Sequence, residues 1–204
     1  MLSQDIVRRR IHYAAVSGSQ NEWQGRYFDS GWARCRGTKM VESEAKRILQ
    51  GLLESAVRSS QAGQHILLCG KASLCRNAFL AVVSVVEGVT LRSPLVSTLE
   101  RAGDMAATLS TLKSGSFLFI DDLHRLSKPP GEILAQAMDG FWLHIEVGPR
   151  LKRKTIDLVL PQFTLIGATS QPHLLTLTLK KCFKQQIWID DDTDSPTATR
   201  VVVQ

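Results

Sequence analysis

Between residues 42 and 58, apolar side chains recur at three- and four-residue steps: Ala45, Ile48, Leu49, Leu52, Leu53 and Ala56. That period lays one apolar stripe along a helix. Gln61-Ala62-Gly63 ends it. Residues 66–68 are then a short apolar run between polar neighbours, which predicts a central parallel strand. Residues 77–86 are apolar on nearly every side and predict a helix pressed on a sheet. A second strand is expected at 89–91, one or two short helices at 95–112, and a third strand at 117–120, closed by Asp121 and Asp122.

After the break Pro129-Pro130-Gly131, residues 132–139 predict a helix. Residues 142–147 and 155–160 both alternate apolar and polar, and the stretch between them is rich in proline, glycine and base, so the pair predicts a β-hairpin. A buried strand at 163–170, a helix at 174–183 and a last strand at 186–190 complete the pattern. Strand and helix alternate with short links, which implies an α/β fold: a mostly parallel sheet with helices on both faces and an inserted β-hairpin.

The two ends differ from this middle. Residues 1–37 mix Arg, Gly, Ser, Gln and aromatics without a period and predict an irregular segment. From Asp190 the chain turns acidic and then Thr-rich, which predicts a frayed tail over 190–204. A single domain over 38–189 fits the length of 204 residues and the 44% hydrophobic content, which suffice for one core.

Charge adds little. A formal net charge of +6 permits contact with nucleic acid or an acidic partner without requiring it. Cys35, Cys69, Cys75 and Cys182 have no CxxC spacing, which argues against a zinc cluster or redox motif and for reduced thiols in a cytoplasmic protein. No run approaches the roughly 18 apolar residues of a membrane span, so no membrane contact is expected.

In parallel sheets ligands sit at the carboxyl ends of the strands. Three such ends carry candidate chemistry. The first, Gly70-Lys71-Ala72-Ser73-Leu74-Cys75-Arg76-Asn77, lies between strand and helix, where a nucleoside triphosphatase keeps its phosphate loop. The second ends in Asp121-Asp122, a pair that can hold Mg²⁺ with its first carboxylate and an attacking water with its second. In isolation the same pair reads better as a strand end and helix cap. The third ends in Thr169-Ser170, whose hydroxyls could meet a γ-phosphate or water. Small polar residues end many strands, so this one gains weight only from the other two.

The phrases AGDMAATLSTL (102–112), GSFLFIDDLHRL (115–126), EILAQAMD (132–139) and LPQFTLIGAT (160–169) are long, ordered and correctly spaced, and in them the chain resembles the RuvB family, the bacterial AAA+ ATPases of Holliday-junction branch migration. The resemblance runs from about residue 40 to residue 189. It implies an AAA+ P-loop NTPase large domain, ATP and Mg²⁺ as cofactors, hexameric rings, and work in DNA recombination and repair beside a RuvA-like junction-binding protein. It also implies that the lid and winged-helix domains of the family have no counterpart in these 204 residues, so that DNA is met only indirectly or weakly.

Residue by residue, the carry-over is uneven. The family's GPPGLGKTT stands here as GKASLCRNA, so Gly70 remains while Ser73 and Cys75 replace glycines, Arg76 replaces the phosphate lysine and Asn77 the Mg²⁺-binding hydroxyl. Asp121 keeps the metal position; Asp122 replaces the catalytic glutamate one methylene short. Thr169 keeps the sensor-one position. The arginine-bearing phrase of the family is here Leu179-Lys180-Lys181-Cys182-Phe183, without an arginine finger.

Losses in three separate parts of one machine predict a pseudo-ATPase that serves as a binding or regulatory subunit, with no cofactor. Two alternatives remain: a weak ATP-binding or ATP-hydrolysing helicase subunit, in which Lys71 and Arg76 compensate, and a truncated gene product without independent function. The hairpin corresponds to the insertion that grips the junction-binding partner. Trp142, Leu143, Ile145, Val147, Ile156 and Leu158 could present it with an apolar face, or pack on their own domain.

Overall fold

The computed structural model of the chain describes residues 44–59, 64–86, 88–147, 154–189 and 201–203. The irregular segment expected over 1–37 and the hairpin tip at 148–153 lie outside the described residues. The elements are α1 (Glu44–Ser59), β1 (Ile66–Gly70), α2 (Ala72–Val83), β2 (Leu91–Arg92), α3 (Ala102–Ser110), β3 (Ser116–Ile120), α4 (Lys128–Gly140), β4 (Trp142–Val147), β5 (Lys154–Val159), β6 (Phe163–Thr169), α5 (Leu177–Cys182), β7 (Gln185–Ile189) and β8 (Val201–Val203).

The main sheet runs β2-β3-β6-β1-β7-β8, and its first five strands are parallel. Its alternating side chains divide cleanly between two cores, as the period of two in a strand requires. Leu67, Cys69, Leu118, Ile120, Phe163 and Leu165 face α3, α4 and α5. Ile66, Leu68, Phe117, Phe119, Ile166 and Ala168 face α1 and α2, where Phe79 stacks on Phe119 with ring centroids 4.2 Å apart. Helices therefore cover both faces, as the alternation of strand and helix predicts.

Close approach sets the glycine of β6: a Cβ on Gly167 would lie 2.7 Å from Leu123 and 3.2 Å from Phe183. At the opposite end of the sheet, buried His65 ties three elements together. The Leu165 N–H donates to its Nδ1 at 3.0 Å, so the proton sits on Nε2, 3.2 Å from the Met138 carbonyl. Burial pushes its pKa down to about 4, because a charged ring would be stripped of water and would lose its acceptor nitrogen.

Three expectations change. The prolines expected to break the chain before residue 132 lie inside the first turn of α4, which Ser127 precedes; the N–H groups that proline lacks are unpaired there in any helix. The helix expected over 174–183 is shorter: a turn of 3₁₀ helix at Pro172–Leu174 precedes α5. The tail is not frayed throughout. Three β-branched residues, Val201, Val202 and Val203, pair antiparallel with Ile187, Gln186 and Gln185, closing the edge of β7.

Candidate functional site

The carboxyl ends of β1, β3 and β6 meet on one side of the sheet, and four of the eight predicted site residues, Gly70, Asp121, Asp122 and Thr169, are on or just beyond them. Gly70 ends β1 with φ at +150°, and a Cβ there would lie 2.2 Å from the Ile189 carbonyl oxygen. Only glycine fits. The stretch that follows departs from the expected loop. Lys71 alone separates β1 from α2, whose helical residues begin at Ala72, and the N–H groups of Leu74 and Cys75 donate to the Lys71 carbonyl at 2.9 and 3.1 Å. With Ser73 and Cys75 in place of glycines the backbone has lost its easy access to positive φ, and Ala72, Leu74 and Arg76 are good helix formers. A helical turn forms where a phosphate loop would open.

That turn disperses the predicted phosphate ligands. The side chain of Cys75 is fully buried between α2 and the sheet, so it is a core residue that faces away from any ligand. Ser73 is exposed, and Asn77 is half-buried on the same helix. Arg76 reaches across to Asp121: its Nε donates to Oδ2 at 2.7 Å, and its Nη2 donates to the same oxygen. The other oxygen of Asp121 accepts the Asp122 N–H at 2.9 Å.

Asp122 itself takes left-handed backbone angles, φ 49° and ψ 41°, and opens a turn of 3₁₀ helix at Leu123–Arg125. Its carboxylate lies 3.9 Å from Arg125, an exposed pair of small energetic weight. Within that turn His124 places Nδ1 3.1 Å from the Thr169 hydroxyl, which also accepts the Gln171 N–H at 3.1 Å. Thr169 is buried. Its hydroxyl is therefore engaged twice.

A nucleotide with Mg²⁺ fits this arrangement poorly. The metal position is paired with a guanidinium, the backbone donors of the loop close on a carbonyl, and the sensor hydroxyl is held by its neighbours. Cys69, beside Gly70, supplies no nucleophile either, since burial pushes its thiol up to about 11. Among the described residues no cluster of three or more metal-ligating side chains is present. The lysines at the arginine-finger phrase, Lys180 and Lys181, lie in the last turn of α5 between buried Leu179 and Phe183.

The hairpin is the second candidate site. In its antiparallel register Leu143 opposes Leu158 and Ile145 opposes Ile156, so these four share one face, and Val147 pairs with Lys154; Trp142, opposite Val159, lies on the other face. The six apolar positions thus do not form a single surface. Leu143 is fully buried, and Ile145 and Leu158 pack against the same core, so the root of the hairpin is anchored on its own domain. Trp142 at 38% exposure, Ile156 at 50% and Val159 at 81% remain open. On the outer face Trp142 sits edge-on to His144, ring centroids 4.0 Å apart, and His144 bonds to Asp157.

Sequence reasoning missed His65, His124 and the pairing of Arg76 with Asp121. The last was within reach, since both residues were already expected at one nucleotide site and carry opposite charges. The histidine contacts depend on tertiary placement alone.

Comparison with known proteins agrees with the fold. Residues 38–188 match the family model described as the Holliday junction DNA helicase RuvB P-loop domain. The chain is 35% identical over 160 residues to the RuvB branch migration complex subunit of Wolinella succinogenes, covering 78% of this chain and 47% of that protein. With its namesake from Rubrobacter xylanophilus it shares 38% over 138 residues, covering 68% and 39%. It thus spans less than half the length of these relatives. Among solved structures, the Thermotoga maritima RuvB Holliday junction branch migration motor superposes with a TM-score of 0.59 at 28% identity, over 74% of this chain and 45% of that one. The FIGL-1 AAA domain in complex with ADP superposes at 0.51 and 18% identity, a likeness of fold alone. Among the described residues no helix is long and apolar enough to cross a membrane.

Proposed function

The chain belongs to the RuvB family of AAA+ P-loop proteins, and from that membership we propose that it is a pseudo-ATPase of Holliday-junction processing, acting by binding and not by hydrolysis. The observation that carries the reading is the first turn of α2. The amides of Leu74 and Cys75 close on the Lys71 carbonyl, and so cannot converge on a phosphate. Hydrolysis needs the cradle, the metal and the catalytic carboxylate together. With Asp122 in place of a glutamate, a displacement on the order of 1 Å costs about a hundredfold in rate even if nucleotide were held. The arginine finger, worth about 10³ or more in turnover, has no counterpart, since Lys180 and Cys182 stand at the two arginine positions of the phrase.

What is kept supports a role in binding. The two-sided core and the anchored hairpin would let the domain dock on a RuvA-like junction-binding protein, or join a ring of active RuvB subunits as an inert member. Ile156 and Val159, both exposed on β5, are the residues on which docking depends. Mixing the purified chain with an active RuvB and with a RuvA-type protein, followed by size-exclusion chromatography, tests this. Co-elution with one of them, weakened by Ile156→Asp, is the expected result. No complex with either at micromolar concentration removes the proposal.

A further inference from the structure

Arg76 lies in the second turn of α2, and Asp121 stands just beyond β3; β6 separates β1 from β3 in the sheet, so their contact spans a strand instead of joining neighbours. Two donors of one guanidinium fall on a single oxygen of Asp121, while the other oxygen accepts the Asp122 N–H and steadies its left-handed turn. The Asp121 side chain is only 19% exposed, against 40% for Arg76, so the carboxylate sits at the base of the pair. A divalent cation bound there would have to share an oxygen with a fixed positive charge, which Coulomb repulsion opposes strongly in a half-buried site. Arginine suits this task better than lysine: its fork delivers two aligned donors from one planar, always charged group.

We propose that Arg76 is a tethered cation standing in for the divalent ion, tying α2 to the end of β3 so that this end of the sheet is closed without metal or nucleotide. The inference rests on the reading of the site as one that no longer serves a nucleotide, and adds to it a built-in occupant. The domain then holds a single state, whatever the level of ATP, ADP or Mg²⁺ around it.

Thermal unfolding of the wild type, Arg76→Gln, Asp121→Asn and the double variant, each with and without millimolar Mn²⁺ and separately ATP, tests the stand-in. Each single substitution lowers the midpoint by several degrees, and the double variant melts no lower than the worse single one. Mn²⁺ raises the midpoint of Arg76→Gln and leaves the wild type and the double variant unmoved. Arg76→Met, which also removes the charge, replaces the glutamine variant in the same cycle if that one does not fold. Additive losses, or an arginine variant that responds to Mn²⁺ no more than the wild type, overturn the inference. A wild-type midpoint that rises with ATP overturns instead the reading on which it rests.

Discussion

The two ends of the central sheet handle their polar groups in opposite ways. At the amino end a single side chain, His65, takes the N–H of Leu165 and gives its own proton to Met138, and the surrounding Phe141 and Phe163 rings seal it at centroid distances of 6.1 and 5.6 Å. At the carboxyl end the residues expected to face a nucleotide are engaged by the protein itself: Arg76 with Asp121, Asp122 with Arg125, Thr169 with His124. The first end is built as a core is built. The second pairs its charged and hydroxyl groups across three strand ends, so its polar contacts join separate elements of the sheet.

If the carboxyl end were slack, it would tolerate a methyl group at Gly70. The account predicts the reverse. Because a Cβ there lands 2.2 Å from a backbone oxygen of β7 and φ is +150°, Gly70→Ala should cost about 4 kcal/mol or prevent folding, read by denaturant unfolding.

The amino end is probed by pH. Its histidine has a folded pKa near 4 against 6.5 in the unfolded chain, so the unfolded state binds the proton first as pH falls. The neutral ring's contribution is complete above about pH 6.5, declines from there to pH 4, and amounts to about 3 kcal/mol in all. His65→Gln, which keeps one donor and one acceptor, should flatten that part of the stability curve measured by urea titration across this window.

Two smaller effects sharpen the contrast. Trp142→Ala, on the outer face of the hairpin, should cost less than about 1 kcal/mol by thermal unfolding, whereas Leu143→Ala, beside it and fully buried, should cost about 2 kcal/mol or more. Arg125→Ala, removing an exposed ion pair at the carboxyl end, should change stability by no more than about 0.5 kcal/mol.

Most of the scaffold was legible from periodicity, because apolar alternation in strands and three- to four-residue steps in helices leave a record in every residue. The hairpin followed from the two alternating runs, but which of its residues are anchored and which are open did not: Trp142 and Leu143 are both apolar, and only packing against the core decides which is covered. The start of α2 was missed for a different reason. Equal length with a phosphate loop suggested a loop, while the loss of two glycines had already removed the conformations that keep it open. The strand at Val201–Val203 was overlooked because three residues are too few to show a period, and an open neighbouring edge supplies what the sequence lacks.

If the end of β1 no longer takes a nucleotide, the wild type binds none and a restored loop does. Isothermal titration of ATP with Mg²⁺ into the wild type, and into a protein carrying Ser73→Gly, Cys75→Gly, Arg76→Lys and Asn77→Thr together, tests it directly. No binding heat for the wild type up to millimolar nucleotide, and a saturable signal for the restored loop, are the expected results. Saturable binding of ATP by the wild type would contradict it.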